Sequence, residues 1–264
     1  MHKLIKISLW ILFISGIGVL LSFTNKKHQS TLCKTPEVKI KNDGGFNFLS
    51  EKIILNLLKN KGYNFTKQTI EEINTGKIEE FLYSINEVER VEIFKSLDGS
   101  IFIDIKERTP VVRIINHKGL SFYIDNKGKV MPLSSYKVAN THIANGNIFE
   151  NPNTNRQNVL NQNDIQLRKS LLDDIFIISS HIAKDTFLNS QIVQIYVDEQ
   201  QDIILIPRVG EQHIIVGDAS NIEDKFFRLK YFYKNAIKPN ELNKYNHLNL
   251  KYNKQIICSK KTDV

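Results

Sequence analysis

Residues 88–132 read VERVEIFKSLDGSIFIDIKERTPVVRIINHKGLSFYIDNKGKVMP. Four runs of β-type composition in this stretch are separated by three turns that contain glycine. The second run alternates strictly, with Ile101, Ile103 and Ile105 on one face of an extended chain and the intervening residues on the other. This period of two predicts a half-buried strand, and the preceding LDGS at 97–100 predicts a tight hairpin turn.

Pro110 interrupts this stretch. Proline has no N–H group to donate to a sheet, so we expect strand pairing to stop there. We interpret Glu107, Arg108 and Pro110 as the joint between two modules, one built by the residues before it and one by the residues after it. The predicted domains are residues 36–108 and residues 109–261.

The composition is typical of a globular protein, with 41% hydrophobic and 24% charged residues in a chain of 264, long enough for one large domain or two small ones. The net charge of +8 comes from 29 Lys and 7 Arg. Arginine is the residue that usually contacts phosphates and base edges, and no nucleic-acid recognition motif is present, so we do not expect nucleic-acid binding.

Cys33 and Cys258 lack the sequence spacing of a metal site or a redox motif. We expect two unpaired thiols, with a disulfide between them as the alternative.

Residues 7–23 read ISLWILFISGIGVLLSF and contain no charge. Seventeen residues at a rise of about 1.5 Å give roughly 26 Å, close to the lower limit for crossing a bilayer. We expect a single transmembrane helix, a short cytoplasmic tail at 1–6, a linker at 24–35 and export of everything that follows. The alternative is a signal peptide, but no small-residue cleavage site follows the run.

The first exported module has the predicted order strand, helix, helix, strand, strand. Residues 37–40 alternate, Ser50 caps a helix that Gly62 ends, and a second helix covers 75–84. Two helices can cover one face of a three-stranded sheet, which makes an α+β module. Directly after a membrane anchor, this order resembles a POTRA domain.

The second module is predicted to be a larger, mostly antiparallel β-sheet with two packed helices. Polar residues at 145–163 predict an exposed loop. The remaining predicted elements are strands at 111–115, 121–125, 129–132, 138–144, 192–197, 202–207 and 213–216, helices at 164–183 and 221–233, and a closing strand or hairpin at 245–252 and 255–259. We expect the last strand to lie at a sheet edge, with unpaired main-chain groups.

The sequence contains few candidates for chemistry. Seven histidines are scattered without metal-ligand spacing, and the neighbouring Asp173 and Asp174 diverge by about 100° on a helix, which predicts a solvated face. Phosphate loops, nucleophile elbows and HExxH motifs are absent. We therefore expect no enzyme activity, cofactor, metal or small-molecule substrate. An anchored envelope hydrolase is the alternative, and it would require titratable groups that converge in a pocket.

The closing strand is the stronger candidate for function. An exposed edge can receive a strand from a partner, through main-chain hydrogen bonds and alternate side-chain contacts. Tyr252, Ile256 and Ile257 would contribute apolar area there. The alternative is an ordinary last core strand with its edge covered by the tail.

Three segments carry a family resemblance: KERTPVVR at 106–113, YIDNKGKV at 123–130, and LNLKY at 248–252 with QII at 255–257. Their order and spacing resemble the FtsQ/DivIB family of bacterial cell-division proteins. Asn249 stands where that family often has Asp, and Lys251 where it often has Arg. Lysine keeps the charge but lacks the planar fork that allows bidentate pairing.

The resemblance implies a non-catalytic, single-pass scaffold of the division machinery in the inner membrane at the septum, with its C-terminal domains in the periplasm. Its POTRA module would contact other division proteins, and its β module would bind the FtsB–FtsL pair, with FtsB extending the sheet along the last strand. The matching positions are Leu250, Lys251 and Tyr252, and Ile256 and Ile257 extend that surface on physical grounds. A POTRA-bearing factor for envelope assembly or export is the alternative.

Overall fold

A computed structural model describes Trp10 and residues 12–17, 31–151 and 170–261 of the chain. The chain divides into two units, Met1–Glu107 and Arg108–Val264. Of the predicted transmembrane span at 7–23, only Trp10 and residues 12–17 are described, and they are helical. Within the described ranges, none of the helices combines the length and the apolar character needed to cross a membrane. The predicted tail at 1–6 and most of the linker at 24–35 lie outside the described residues.

The first unit confirms the predicted order of strand, helix, helix, strand, strand. Strand β3 is central in a three-stranded sheet, with β1 parallel on one side and β2 antiparallel on the other. A 3₁₀ turn at Phe65–Lys67 lies between the helices. The elements are β1 (Glu37–Lys41), α1 (Glu51–Asn60), α2 (Thr75–Tyr83), β2 (Val88–Lys95) and β3 (Ile101–Glu107).

Local sequence sets the ends of helix α1. The Ser50 hydroxyl accepts a hydrogen bond from the N–H of Ile53, which satisfies one of the free donors of the first turn. After the helix, Gly62 has a φ of +95°, and the N–H of Tyr63 donates to the carbonyl of Leu58. This is the glycine-dependent helix end that the sequence predicted.

The core of the first unit lies between the two helices and the sheet. Ile101, Ile103 and Ile105 of the central strand are buried, as their alternation predicted. Each fully buried aliphatic side chain of this kind contributes about 1.5–3 kcal/mol. The helices and the preceding loop add Phe48, Leu49, Ile54, Leu58, Ile73, Ile78 and Leu82.

The second unit contains a nine-stranded sheet in the described residues, in the order β12-β11-β10-β9-β8-β7-β4-β5-β6. Its strands are β4 (Pro110–Ile115), β5 (Ser121–Asp125), β6 (Val130–Pro132), β7 (His142–Gly146), β8 (Ile192–Val197), β9 (Ile203–Pro207), β10 (His213–Gly217), β11 (Tyr245–Asn249) and β12 (Ile257–Lys260). Its helices are α3 (Leu171–Lys184), α4 (Thr186–Gln191) and α5 (Ile222–Tyr231). A π-helical turn (Phe232–Ala236) and a 3₁₀ turn (Pro239–Lys244) follow α5.

The sheet is mixed rather than uniformly antiparallel. Five of its eight pairings in the described residues are antiparallel, whereas β4–β7, β7–β8 and β10–β11 are parallel. Parallel neighbours need a long crossover connection, and helices supply it for β7–β8 and for β10–β11. Helices α3 and α5 share one core with the sheet, through Ile175, Ile178, Phe226 and Leu229 among others.

The predicted start of helix α3 at residue 164 is wrong. Ser170 has an extended backbone and forms a capping box with Asp173: its hydroxyl accepts from the Asp173 N–H, and the Asp173 carboxylate accepts from the Ser170 N–H at 2.6 Å. The solvated face predicted at Asp173 and Asp174 is also wrong. Asp173 is buried in this cap, and Asp174 accepts a hydrogen bond from the N–H of Ala219 at 3.0 Å.

The prediction of a strand at 138–144 followed by an exposed loop at 145–163 needs a second correction. Strand β7 runs from His142 to Gly146, and Ile148 beyond it is fully buried. At Gly146 the φ is +102°, and an added Cβ would lie 2.2 Å from the carbonyl oxygen of Val197. Gly146, which suggested a loop in the sequence, therefore allows β7 to lie close to β8. Residues 152–163 lie outside the described residues.

The two charged residues of the predicted joint are buried, each within its own unit. Glu107 ends β3, and its carboxylate accepts hydrogen bonds from the N–H groups of Phe48 at 3.1 Å and Leu49 at 2.7 Å. These bonds fix the segment that leads into helix α1. A buried carboxylate here acts as a structural acceptor for main-chain donors.

In the second unit, Arg108 donates to Asp125 at 2.9 Å, and the Asp125 side chain is fully buried. The other Asp125 oxygen accepts from the N–H groups of Lys127 and Lys129, which shapes the β5–β6 turn. Pro110 is the first residue of β4, a position where the missing N–H costs no ladder bond.

We expect Glu107→Ala to lower the free energy of unfolding of the first unit by about 2–4 kcal/mol, because it leaves two buried N–H groups without an acceptor. Amide hydrogen exchange at Phe48 and Leu49 measures this effect locally. Glu92→Ala is the matched control, since Glu92 forms an exposed pair with Arg90 on strand β2, and it should cost about 0–1 kcal/mol. Equal effects of the two substitutions would contradict this role of Glu107.

Candidate functional site at the open sheet edge

Strand β12 forms one edge of the large sheet, as the sequence predicted. Among the described residues it pairs only with β11, in antiparallel register from Asn249↔Ile257 to Tyr245↔Lys260. The N–H of Lys261 donates to the carbonyl of Lys244, so it points toward β11. Because main-chain groups alternate along a strand, those of Cys258 and Lys260 point away from β11, toward the open side.

The connection between β11 and β12 is held by Arg228 of helix α5. Its guanidinium donates to the carbonyl oxygens of Leu250 at 3.2 Å, Tyr252 at 3.0 Å and Gln255. Asp224, one turn earlier on the helix, accepts from Nε of Arg228 at 2.8 Å and orients the group. A planar guanidinium with several donors is suited to this multiple contact. The sequence analysis did not single out Arg228.

Two of the five predicted partner-binding residues turn inward. Leu250 is fully buried in the core of the second unit, and Ile256 packs against that core with partial exposure. The Leu250 side chain is therefore unavailable to a partner. Both residues instead anchor the two ends of the connection that Arg228 holds.

The other three predicted residues are exposed. Tyr252 is 50% exposed and Ile257 is 42% exposed. Lys251 lies beside them and forms an ion pair with Asp202 at 2.5 Å. The hydrogen bond to Asp202 raises the pKa of Lys251, so the ammonium stays charged across the physiological range.

An aromatic groove lies beside the connection. It has a volume of about 410 Å³, and helix α5, the π-helical turn and residues 254–256 line it. Phe227 and Tyr231 lie one turn apart on the helix and are 65% and 60% exposed. Phe226 and Leu229 of the same helix are instead buried in the core. The i, i+4 spacing of Phe227 and Tyr231 was the signal in the sequence that could have revealed the groove.

The region around the edge is strongly basic. Residues 225–261 contain ten lysines and arginines and one acidic residue, Glu241. Six of these ten cations form ion pairs, as Lys261 does with Glu211 and Lys244 with Glu241, and the other four leave an excess of positive charge. Such a surface attracts acidic segments, and the attraction weakens with salt.

Both cysteine thiols are free. Cys33 is buried in the first unit, and Cys258 lies on the edge strand. Burial raises the pKa of the Cys258 thiol, which keeps it protonated at neutral pH. Across the described ranges, no cluster of three or more His, Cys, Asp or Glu side chains could hold a metal ion.

Comparison with known proteins gives matches to two protein families. Residues 31–106 match the POTRA-like domain, which agrees with the β-α-α-β-β order of the first unit. Residues 109–259 match the FtsQ/DivIB, C-terminal related family, and this match ends within strand β12. No curated protein matches the chain. Since the second match covers more than half of the sequence, the chain belongs to the FtsQ/DivIB, C-terminal related family.

Proposed function

We propose that this protein is a non-catalytic scaffold of the bacterial division machinery and binds an FtsB-type partner by strand addition to β12. The observation that carries the proposal is the open edge of β12 in a chain that belongs to the FtsQ/DivIB-related family. Main-chain groups of Cys258 and Lys260 supply the pairing positions for an incoming strand. An FtsL-type protein would arrive with that partner.

Side chains around the edge support a specific choice of partner. Tyr252 and Ile257 offer apolar area at the start of the strand, and Phe227 and Tyr231 offer the groove beside it. Buried aromatic anchors of this kind dominate the energetics of protein interfaces. The basic surroundings favour a partner segment that carries acidic residues next to apolar ones.

The N-terminal segment supports attachment to the inner membrane. Trp10, Leu12, Phe13 and Ile14 are 66%, 75%, 61% and 63% exposed on a helical segment. Large apolar side chains exposed in this way are suited to lipid. In the proposed arrangement residues 7–23 cross the membrane once and both folded units lie in the periplasm, with the POTRA-like unit contacting other division proteins.

We expect Lys260→Pro to weaken capture of the FtsB-type partner by about tenfold or more, because it removes an outward N–H and places the proline ring in the path of the added strand. The β11–β12 ladder should survive, since that N–H points away from β11. Binding of the purified partner, measured by calorimetry or biolayer interferometry, tests this.

Lys260→Ala is the matched control. It keeps the main-chain N–H, so its affinity for the partner should fall only by the small contribution of the lost charge. Ser259→Pro removes an inward N–H and should instead loosen β12 from β11. Equal affinity of the proline and alanine variants at residue 260 would refute strand addition at this edge.

We expect Arg228→Lys to loosen the connection to β12, because an ammonium cannot reach three carbonyl groups and Asp224 at once. Loss of charged hydrogen bonds of this kind costs about 1.5–3 kcal/mol each. Hydrogen exchange at residues 256–260 should accelerate and partner affinity should fall. Lys230→Arg makes the opposite exchange on the same helix and is the control. The interpretation fails if the two variants exchange alike.

A fluorescent fusion of the full chain should form bands at the division septum, and depletion should produce filamentous cells. The reason is that a scaffold held by division partners follows their position. A fusion of a resident protein of the same membrane, with one transmembrane segment and no division role, is the control for even membrane distribution. Uniform envelope fluorescence of the test fusion would favour a role in envelope assembly or export.

A further inference from the structure

We propose that His213 and His247 form a two-histidine site for a late first-row divalent metal ion on the open face of the large sheet. The two residues are 34 positions apart in sequence, and the parallel pairing of β10 with β11 places them directly opposite each other. Their ring centroids are 5.8 Å apart, and the ring planes form an angle of 59°.

Strand geometry directs both side chains to the same face. His213 precedes Ile214, and His247 precedes Leu248, and both of these neighbours are fully buried in the core. Because successive side chains alternate, the two imidazoles point to the opposite face, where both residues are exposed. Neighbouring strands lie about 4.7–4.9 Å apart, a spacing at which small χ rotations bring two ring nitrogens onto one ion.

The chemistry of the pair selects the class of ion. Neutral imidazole nitrogen binds Zn²⁺, Cu²⁺ and Ni²⁺ at about 2.0–2.1 Å and suits Mg²⁺ and Ca²⁺ poorly. The remaining coordination positions fall to water, because the described residues bring no third ligand to a group of this kind. A bound ion would join β10 to β11. These are the two strands nearest to the edge strand β12 in the sheet.

The other described histidines are committed to different contacts. The ring of His142 bonds to the carbonyl of Ile192, and burial lowers the pKa of this histidine. His181 lies 3.4 Å from Glu223, and His117 packs against Phe149. By contrast, the rings of His213 and His247 lie against each other, and both residues are exposed.

The test is calorimetric titration of the untagged full chain with Zn²⁺, in a His2→Ala background. That background removes a histidine that lies outside the described residues. We expect one saturable site, and a roughly 100-fold loss of affinity in His213→Asn and in His247→Asn, since each variant loses the advantage of two linked ligands. The melting temperature of the parent chain should rise with Zn²⁺ and not with Mg²⁺.

His181→Asn is the matched surface control and should leave Zn²⁺ affinity unchanged. Circular dichroism of each variant checks that the fold is intact. We expect it to be intact because both histidines are exposed. Absence of Zn²⁺ binding by the parent chain overturns the proposal. Binding that persists unchanged in the His213→Asn/His247→Asn double variant also overturns it.

Discussion

One guanidinium controls how the last strand of this protein is presented. Arg228 holds the connection before β12 through carbonyl oxygens of residues 250, 252 and 255, and Asp224 fixes its orientation. The helix that carries it is anchored in the core by Phe226 and Leu229. In the described part of the chain, this four-residue strand has a neighbouring strand on one side only, so it has few contacts of its own. The packing of helix α5 against the core therefore determines the position of β12.

Buried carboxylates perform a comparable structural role elsewhere. Glu107, Asp125 and Asp173 each accept hydrogen bonds from main-chain N–H groups, and each fixes a loop or a helix start. In sequence such residues are difficult to distinguish from catalytic acids, because both kinds are acidic residues next to apolar segments. Their partners distinguish them here. A carboxylate occupied by main-chain donors near a turn has a local structural function.

The sequence predicted the features that depend on local chemistry and failed where distant segments meet. Alternation at Ile101–Ile105 and the glycine after α1 identified a strand and a helix end correctly, because both signals lie within a few residues. The parallel pairing of β10 with β11 leaves no comparable local signal, so the meeting of His213 and His247 was not foreseen. Polar composition suggested a loop at Gly146, where a close strand contact requires glycine. At the edge, periodicity located β12, but only the fold separated buried Leu250 from exposed Tyr252.

The strand addition proposed for β12 would have a consequence for evolution and for inhibition. Every extended segment carries the same backbone donors and acceptors, so most residues of a bound strand are free to change without loss of pairing. Selection would then act mainly on the few side chains that enter the groove beside Phe227 and Tyr231. For the same reason, a short cyclic peptide locked in an extended shape, with one aromatic and one acidic side chain, is a natural starting point for an antagonist.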